Sequence, residues 1–491
     1  MKLLEICQRA GIKCPEHLEK TEVEGISSRS YEIKENYVFV CLNGTRADGH
    51  NYIDAAILNG AVAVVIENEN FLCENAILVD NTRVALANMM NAFCLEPTKD
   101  LRFIGITGTN GKTSVAAMLK HIFDYTNHPS EVIGTLNCSS FSIVKGDPTA
   151  NFTTPDPEEL FPLLQRMRDG GIKTVIMEAS SHALKLQKLA PINFEIGIFT
   201  NLSEDHLDFH FDMEDYFNSK LRLFEKCKLG IINVDDEYGK RIVALAPCQI
   251  KTCSAEQNAD FVAKEIEIFG EDGTQYKIET QENIFENFCG VPGQFSVMNS
   301  MQACACALML NIDKNDILRS FKSFRGVKGR LEKCGLFEGR GFAVFIDYAH
   351  TPDALLKVLI TINSFKKAGQ RTVLVFGCGG DREKQKRSLM GEIAVQNADF
   401  VIVTSDNPRS EKPNLIINDI LLNIIDCDNF AVIPNRKNAI EYAIATARAG
   451  DIILLAGKGH ENYEINALGR FHFDEREILE EMFKKYYEKE K

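Results

Sequence analysis

An apolar run, Phe103 to Thr107, gives way to Gly108-Thr109-Asn110-Gly111-Lys112-Thr113 and then to Val115, Met118, Leu119, Ile122 and Phe123 at i, i+3, i+4, i+7 and i+8. The pattern reads as a buried strand, a glycine-rich turn and an amphipathic helix. In that context the turn from Gly105 to Thr113 is a mononucleotide-binding loop. Its glycines let backbone N–H groups wrap phosphate oxygens, Lys112 sets a cation at the β- and γ-phosphates, and the Thr113 hydroxyl can ligate Mg²⁺. A motor, a kinase and a ligase can all use such a loop, so the reaction stays open at this point.

Around this unit, strands and helices alternate. Tyr37 to Leu42 reads as a strand, Asn43 to Gly49 as a polar turn, Ile53 to Leu58 as a helix and Ala61 to Ile66 as a second strand. A helical pattern follows from Thr82 to Leu95, and the polar stretch at Pro97 marks a first boundary. Further buried-type strands are expected at Thr174 to Met177, Ile196 to Phe199 and Gly230 to Val234, which argues for a parallel sheet covered on both faces. The last third repeats the theme: strands at Ala343 to Ile346, Thr372 to Phe376, Phe400 to Val403 and Ile452 to Leu455, with helices such as Ala354 to Phe365 and Asn438 to Arg448. That region reads as a separate doubly wound domain joined near Gly326 to Arg330. The expected division is 1–97, 98–328 and 329–491, an α/β architecture of three domains. The length of 491 residues requires more than one core.

Composition narrows the function. A formal charge of −14 argues against a general nucleic-acid or anionic-membrane binder, which needs a basic face. The first residues have no signal-peptide core, and no apolar run approaches the ~18 residues that span a bilayer, so a cytoplasmic protein is expected. The fifteen cysteines are read as reduced core residues, because the one close pair, Cys304 and Cys306, lacks C-x-x-C spacing.

Beyond the loop stand Thr153-Thr154-Pro155, Met177-Glu178-Ala179-Ser180-Ser181-His182, Asn201-Leu202-Ser203-Glu204-Asp205-His206-Leu207-Asp208 and Lys220. Gly329-Arg330-Leu331-Glu332, Asp347-Tyr348-Ala349-His350-Thr351-Pro352-Asp353, Asp406-Asn407-Pro408-Arg409 and Gly457-Lys458-Gly459-His460-Glu461 follow. With these motifs in this order, nearly the whole chain resembles the Mur ligase family, and within it the branch that adds a diamino acid to a UDP-linked muramoyl dipeptide. The resemblance implies a small N-terminal UDP-sugar domain, a central P-loop ATPase domain and a C-terminal Rossmann-like domain that binds the amino acid. It also implies ATP and Mg²⁺, no nucleic acid, no membrane insertion and a monomer.

Each motif also has its own chemistry. Glu178 ends a buried-type strand, where a carboxylate is costly unless it holds a metal or a cation; the family places Mg²⁺ there. His206 lies in an acid-rich loop at the ligand-binding edge of the sheet, and its family analogue ligates a second Mg²⁺. Lys220 sits in a helix-like segment that ordinarily puts a lysine on a solvated face; the resemblance implies that it is carboxylated by CO₂ and helps hold Mg²⁺. Together with Thr113, these form the expected metal and catalytic set around Lys112.

Thr153 and Thr154 supply hydroxyl donors in a loop stiffened by Pro155 and Pro157, and Ser180 is either a helix cap or part of the same substrate site. Arg330, Asp347 and His350 cluster at the domain join, where Arg330 and Asp347 either grip ATP or form an interdomain ion pair. The family sets Asn299 near the base and Ser28 on the uracil-diphosphate side. Three positions depart from the family pattern: Ser27 stands for the usual Asp, Ser296 for the common Asn, and Gln187 is displaced by one position.

Asp406-Asn407-Pro408-Arg409 follows a strand end, and Arg409 offers a fork for a second carboxylate that lysine lacks. The four residues match the family version associated with meso-diaminopimelate. Arg382, Gly457 and Glu461 complete the implied amino-acid site, with Glu461 suited to the distal ammonium. The implied reaction phosphorylates the D-glutamyl γ-carboxylate to an acyl phosphate that the incoming amine attacks. The alternatives are a lysine-adding sister ligase, a folylpolyglutamate synthetase or a nucleotide-switched binding protein.

Overall fold

The computed structural model describes residues 1–44, 47–136 and 153–488, organised around three sheets in chain order. The first is four-stranded and parallel: β1 (Gly25–Ser27), β2 (Tyr37–Val40), β3 (Ala61–Ile66) and β4 (Ala76–Leu78), paired in sequence. Thr45 and Arg46, in the turn expected at Asn43 to Gly49, lie outside the described residues. The helix Thr82–Phe93 begins at Asn81, whose side chain accepts from the Arg83 and Val84 N–H groups. It ends before Leu95, because Leu95 and Glu96 turn to positive φ (61° and 50°) ahead of Pro97, which disfavours helix at the residue before it.

The central sheet has nine strands in the order β13-β12-β11-β10-β9-β8-β5-β7-β6. These are β5 (Arg102–Thr107), β6 (Ser130–Ile133), β7 (Thr174–Glu178), β8 (Phe194–Phe199), β9 (Cys227–Asn233), β10 (Gln249–Ser254), β11 (Phe261–Ile268), β12 (Thr274–Glu279) and β13 (Ile284–Cys289). From β6 to β11 the pairing is parallel; β11, β12 and β13 pair antiparallel. That extension is a departure from the wholly parallel expectation. Its strands carry residues such as Glu265, Glu267, Lys277 and Glu286 in place of a continuous apolar run, as befits a sheet region with a wet face.

The helices Lys112–Tyr125 and Gln294–Met309 pack on each other, and Val115, Leu119 and Ile122 share a core with Val297, Met301 and Cys304. Leu119 is fully buried, so Leu119→Ala is expected to cost about 2–5 kcal/mol, read as an earlier unfolding midpoint for the central unit.

The third sheet runs β14-β15-β19-β16-β17-β18. Its members are β14 (Glu332–Lys333), β15 (Ala343–Asp347), β16 (Thr372–Phe376), β17 (Phe400–Val403), β18 (Phe430–Val432) and β19 (Ile452–Ala456); only β14 is antiparallel. Helices cover both faces, giving two separate apolar layers. One of them, Arg436–Ala445, starts two residues before the expected Asn438 because Asn435 caps it. A hairpin of β20 (Tyr463–Asn466) and β21 (Gly469–His472) stands at the edge.

The first two units share one core: Leu3, Val38 and Met89 belong to the same apolar cluster as Phe103, Leu160 and Phe194. Among the described residues no helix is long and apolar enough to cross a membrane. Of the described cysteines, all free, Cys73 and Cys427 are exposed, so not all are core residues.

Candidate active site

Strands β5, β7 and β8 are neighbours, so the segments leaving their carboxyl ends meet at one place. The phosphate loop leaves β5. Gly111 has φ +88°, and a Cβ there would lie 2.6 Å from Asn299 Oδ1, so the loop needs glycine where it passes Asn299. Residues leaving β8 brace the loop from behind. The Asn201 carbonyl accepts from Thr109 N–H at 2.8 Å, Asn201 Oδ1 from Asn110 N–H at 2.9 Å, and Thr200 Oγ1 donates to the Asn110 carbonyl at 2.6 Å.

Lys112 Nζ donates to the carbonyls of Gly108 and Thr109, both at 2.9 Å. Desolvation lowers its pKa, and the Glu178 carboxylate opposes that shift. Lys220 ends the helix Met213–Leu221 and is 1% exposed, contrary to the solvated face that such a segment ordinarily presents. Its Nζ donates to the Gly108 carbonyl at 2.8 Å and lies 4.4 Å from the centre of the Tyr216 ring. Burial first, and repulsion from Lys112 second, hold its pKa well below the ordinary lysine value.

Glu178 is fully buried at the end of β7. Its Oε2 accepts from Thr113 Oγ1 at 3.0 Å and Thr135 Oγ1 at 3.2 Å, and its Oε1 from Thr135 N–H at 3.0 Å. A carboxylate and a hydroxyl side by side at a phosphate loop are hard oxygen donors that fit Mg²⁺. Among the described residues no three His, Cys, Asp or Glu side chains form a ready cage. His206 lies in the loop after β8, with its Nε2 3.6 Å from Asp205 Oδ2 and its ring 5.0 Å from that of His182, near enough to feel the charges of Lys112 and Lys220. Burial brings the His182 pKa down to about 3, so that ring is neutral at pH 7.

A chain of hydroxyls reaches Glu178 from the other side. Thr153 Oγ1 lies 3.2 Å from Thr135 Oγ1, and Thr154 Oγ1 donates to the Glu178 carbonyl at 2.7 Å. Ser180 N–H donates to Thr154 Oγ1 at 3.1 Å, while Ser180 Oγ accepts from Ala183 N–H and so caps the next helix. Ser28 lies at the join of the first two units, where its N–H and Oγ both donate to Glu158 Oε1. Asp156 nearby is 3.6 Å from Arg29 and 2.6 Å from Lys188.

Across the cleft, Arg330 reaches Thr113 Oγ1 at 3.3 Å and stacks 4.7 Å from the Tyr348 ring centre. It makes no ion pair with Asp347, whose oxygens instead accept from Leu331 N–H (2.6 Å) and Ala349 N–H (2.7 Å). The Arg330 charge still favours the ionised Asp347 carboxylate, while Arg330 Nε is buried beside the phosphate loop with no hydrogen-bond partner among the described residues. Burial raises the Asp347 pKa and lowers that of His350 to about 4; His350 Nδ1 is 2.9 Å from the Tyr348 carbonyl. Asp353 ties this side to the loop, accepting from Asn110 Nδ2 at 2.9 Å and Ser203 Oγ at 3.1 Å.

At the carboxyl edge of the third sheet, Asp406 and Asn407 are buried. Asp406 Oδ2 occupies the space of a Gly457 Cβ, 2.6 Å away, with Gly457 at φ +115°. Asn407 Nδ2 donates to Glu461 Oε2 at 2.8 Å. Arg409 Nη1 donates to the Gly380 carbonyl at 2.7 Å, and Pro408 packs its carbonyl against Gly380. Burial and the Asp406 charge raise the Glu461 pKa. Arg382, half exposed, faces Asp208 of the central unit at 4.0 Å.

Sequence reasoning named Lys458, Asn201 and Asp353 within motifs without giving them a role, and passed over Glu158. Lys458 is fully buried and donates to Asn407 Oδ1 (3.1 Å) and the Tyr463 carbonyl (2.8 Å), bracing the loop that carries Arg409. A lysine between two glycines after an apolar strand was the available signal.

Comparison with known proteins agrees with this geometry. Residues 22–94 match the Mur ligase family catalytic domain, residues 106–307 the Mur ligase middle domain, and residues 329–459 the Mur ligase glutamate ligase domain. A Clostridium perfringens protein named UDP-N-acetylmuramoyl-L-alanyl-D-glutamate--2,6-diaminopimelate ligase is 41% identical, covering 94% of this chain and 95% of its own. A Clostridioides difficile protein of the same name is 38% identical over 99% of this chain and 100% of its own. A solved structure with that name superposes with a TM-score of 0.69 at 29% identity, covering 99% of each chain. Three matched segments in order along one chain, and relatives aligned over nearly all of it, mean that this chain belongs to the Mur ligase family.

Proposed function

We propose that this chain is an ATP-dependent ligase of peptidoglycan synthesis, joining meso-2,6-diaminopimelate to the D-glutamyl γ-carboxylate of UDP-N-acetylmuramoyl-L-alanyl-D-glutamate. The observation that carries the choice of amino acid is the pairing of the Arg409 fork with the buried Asn407–Glu461 couple at one sheet edge. On this reading residues 1–97 hold the UDP-sugar, 98–328 the ATP and 329–491 the amino acid. All substrates are small molecules, and the enzyme works as a cytoplasmic monomer.

The γ-carboxylate oxygen bonds to the terminal phosphorus of ATP, the β–γ bridging bond breaks, and ADP leaves. The amine nitrogen then bonds to the acyl carbon, phosphate departs and the nitrogen loses a proton. Lys112 and Arg330 place fixed cations where phosphate charge moves, which is worth most in a site closed to water. Thr113 and Glu178 would hold Mg²⁺, which neutralises phosphate charge. Thr153, Thr154 and Ser180 orient the acceptor. Incubation with the muramoyl dipeptide, ATP, Mg²⁺ and equal amounts of meso-diaminopimelate and L-lysine should give the diaminopimelate adduct by mass. Phosphate release independent of the dipeptide and amino acid would instead indicate a nucleotide switch.

Lys220 belongs to the same reading. Burial and the Lys112 charge lower its basicity and so favour the free amine, the form that adds CO₂. Lys220→Ala is expected to lose most activity and to recover part of it with a small added carboxylic acid. A high-resolution map of the active enzyme should show the carboxylated side chain, and an unmodified lysine there would remove this part of the reading.

A further inference from the structure

Arg330 meets the phosphate loop at Thr113, where the helix begins, and Asp353 meets it three residues earlier, at Asn110. Both come from the third unit. Asp353 lies in the first turn of the helix Pro352–Phe365, and its Oδ2 accepts from Asn110 Nδ2 at 2.9 Å, Ser203 Oγ at 3.1 Å and Lys357 Nζ at 2.9 Å. Lys357 stands one turn further along the same helix.

Asn110 is where the loop most needs holding. It stands between Gly108 (φ +149°) and Gly111 (φ +88°), and glycines leave a chain free to take other shapes. Its main chain is fixed from within the central unit, because its N–H donates to Asn201 Oδ1 and its carbonyl accepts from Thr200 Oγ1 and Asn201 Nδ2. Its side chain is fixed from outside, by Asp353. Ser203 repeats the arrangement: its N–H and carbonyl both bond Thr109 Oγ1, while its hydroxyl donates to Asp353. One carboxylate thus gathers the tip of the loop and the segment that braces it.

The contact is also made so that it can part. Asp353 keeps 28% of its side chain exposed, and Lys357 travels with it on the same helix, so the carboxylate leaves the loop with a cation beside it. Asn110 and Ser203 are neutral donors that water can serve. A fully buried charge would be costly to release, and this one is not.

We propose that Asp353 is a positioning residue that sets the phosphate loop for nucleotide only while the third unit is docked. This role rests on the reading that the loop binds ATP, and not on the choice of acceptor or amino acid. Linkage then requires the reverse, that bound nucleotide favours docking. Calorimetric titration of the full chain, in Mg²⁺, with the non-hydrolysable ATP analogue adenylyl imidodiphosphate reads the effect without any ligation. Asp353→Ala should weaken binding about tenfold or more, as loss of charge-assisted hydrogen bonds does. Asn110→Ala should weaken it as well, and the double variant no further than the worse single one, because both remove the same contact. Asp353→Asn keeps an acceptor oxygen and should stay within about threefold of wild type. Lys357→Ala, which leaves both bonds across the cleft, should stay within about twofold. A loss of helix stability alone would be shared by Lys357→Ala and would multiply in the double variant. The role is ruled out by wild-type affinity in Asp353→Ala, by independent losses in the double variant, by a loss in Lys357→Ala as large as in Asp353→Ala, or by Asp353→Asn failing as badly as Asp353→Ala. Absence of analogue binding by the wild type would instead remove the ATP reading itself, and this role with it.

Discussion

Lys112→Ala is expected to lower ligation at saturating ATP by at least about 10²–10³-fold, the loss seen when one preorganised charge is removed from a site where transition-state charge develops. Among the described residues the side chain makes no ion pair within 4 Å. Its ammonium rests on two loop carbonyls and keeps at least one N–H free for a phosphate oxygen. Removing it also lifts a repulsion from Lys220, so the neighbouring amine should become more basic. Phosphate release and product formation measured together test this. Near-normal turnover with ample ATP would mean that the loop does not place the transferred phosphoryl group.

Arg409→Ala is expected to cut use of meso-diaminopimelate far more than any residual use of L-lysine. The two amino acids share an α-amino acid end and a distal amine, so only the second carboxylate separates them. Among the described residues the Arg409 side chain donates to the Gly380 carbonyl through Nη1, leaving most of its five donors for a ligand. Its backbone is pinned at φ +51° by donation from its N–H to the Ile465 carbonyl, so the fork is held in place before substrate arrives. A charge-assisted bidentate pair of ~2–4 kcal/mol corresponds to roughly 30- to 1,000-fold selectivity. Arg409→Lys should recover little of it, because an ammonium cannot make the paired contact. Competition between the two amino acids in wild type and variants decides the matter, and equal incorporation by the wild type would defeat it.

Local pattern made much of this molecule readable. The phosphate loop, the parallel strands and the helix after β5 all announce themselves in a few consecutive residues, and the strand ends stand within three residues of expectation. What stayed hidden depends on distant parts of the chain. Lys220 is buried because its helix packs its last turn against the loop 112 residues earlier. Arg330 bonds a threonine 217 residues away. The strands β11 to β13 alternate polar and apolar residues on a half-wet face, a weaker signal than the apolar runs beside them. Ser28 reads in the sequence as a donor toward the UDP-sugar, yet nothing local reveals that Glu158, 130 residues on, already accepts from it.

The apolar cluster that joins Leu3, Val38 and Met89 to Phe103, Leu160 and Phe194 also bears on recombination. Trading the first unit for that of a distant relative cuts through a packed interior, where each mismatched methylene is felt. The third unit, with two apolar layers of its own, meets the rest mainly through polar contacts such as Asp353 with Asn110 and Ser203. Chimaeras crossed over near residue 328 should therefore fold readily, whereas those crossed near residue 97 should need compensating changes on both sides of the seam, so that lineages of this architecture are free to exchange their C-terminal unit long before their first.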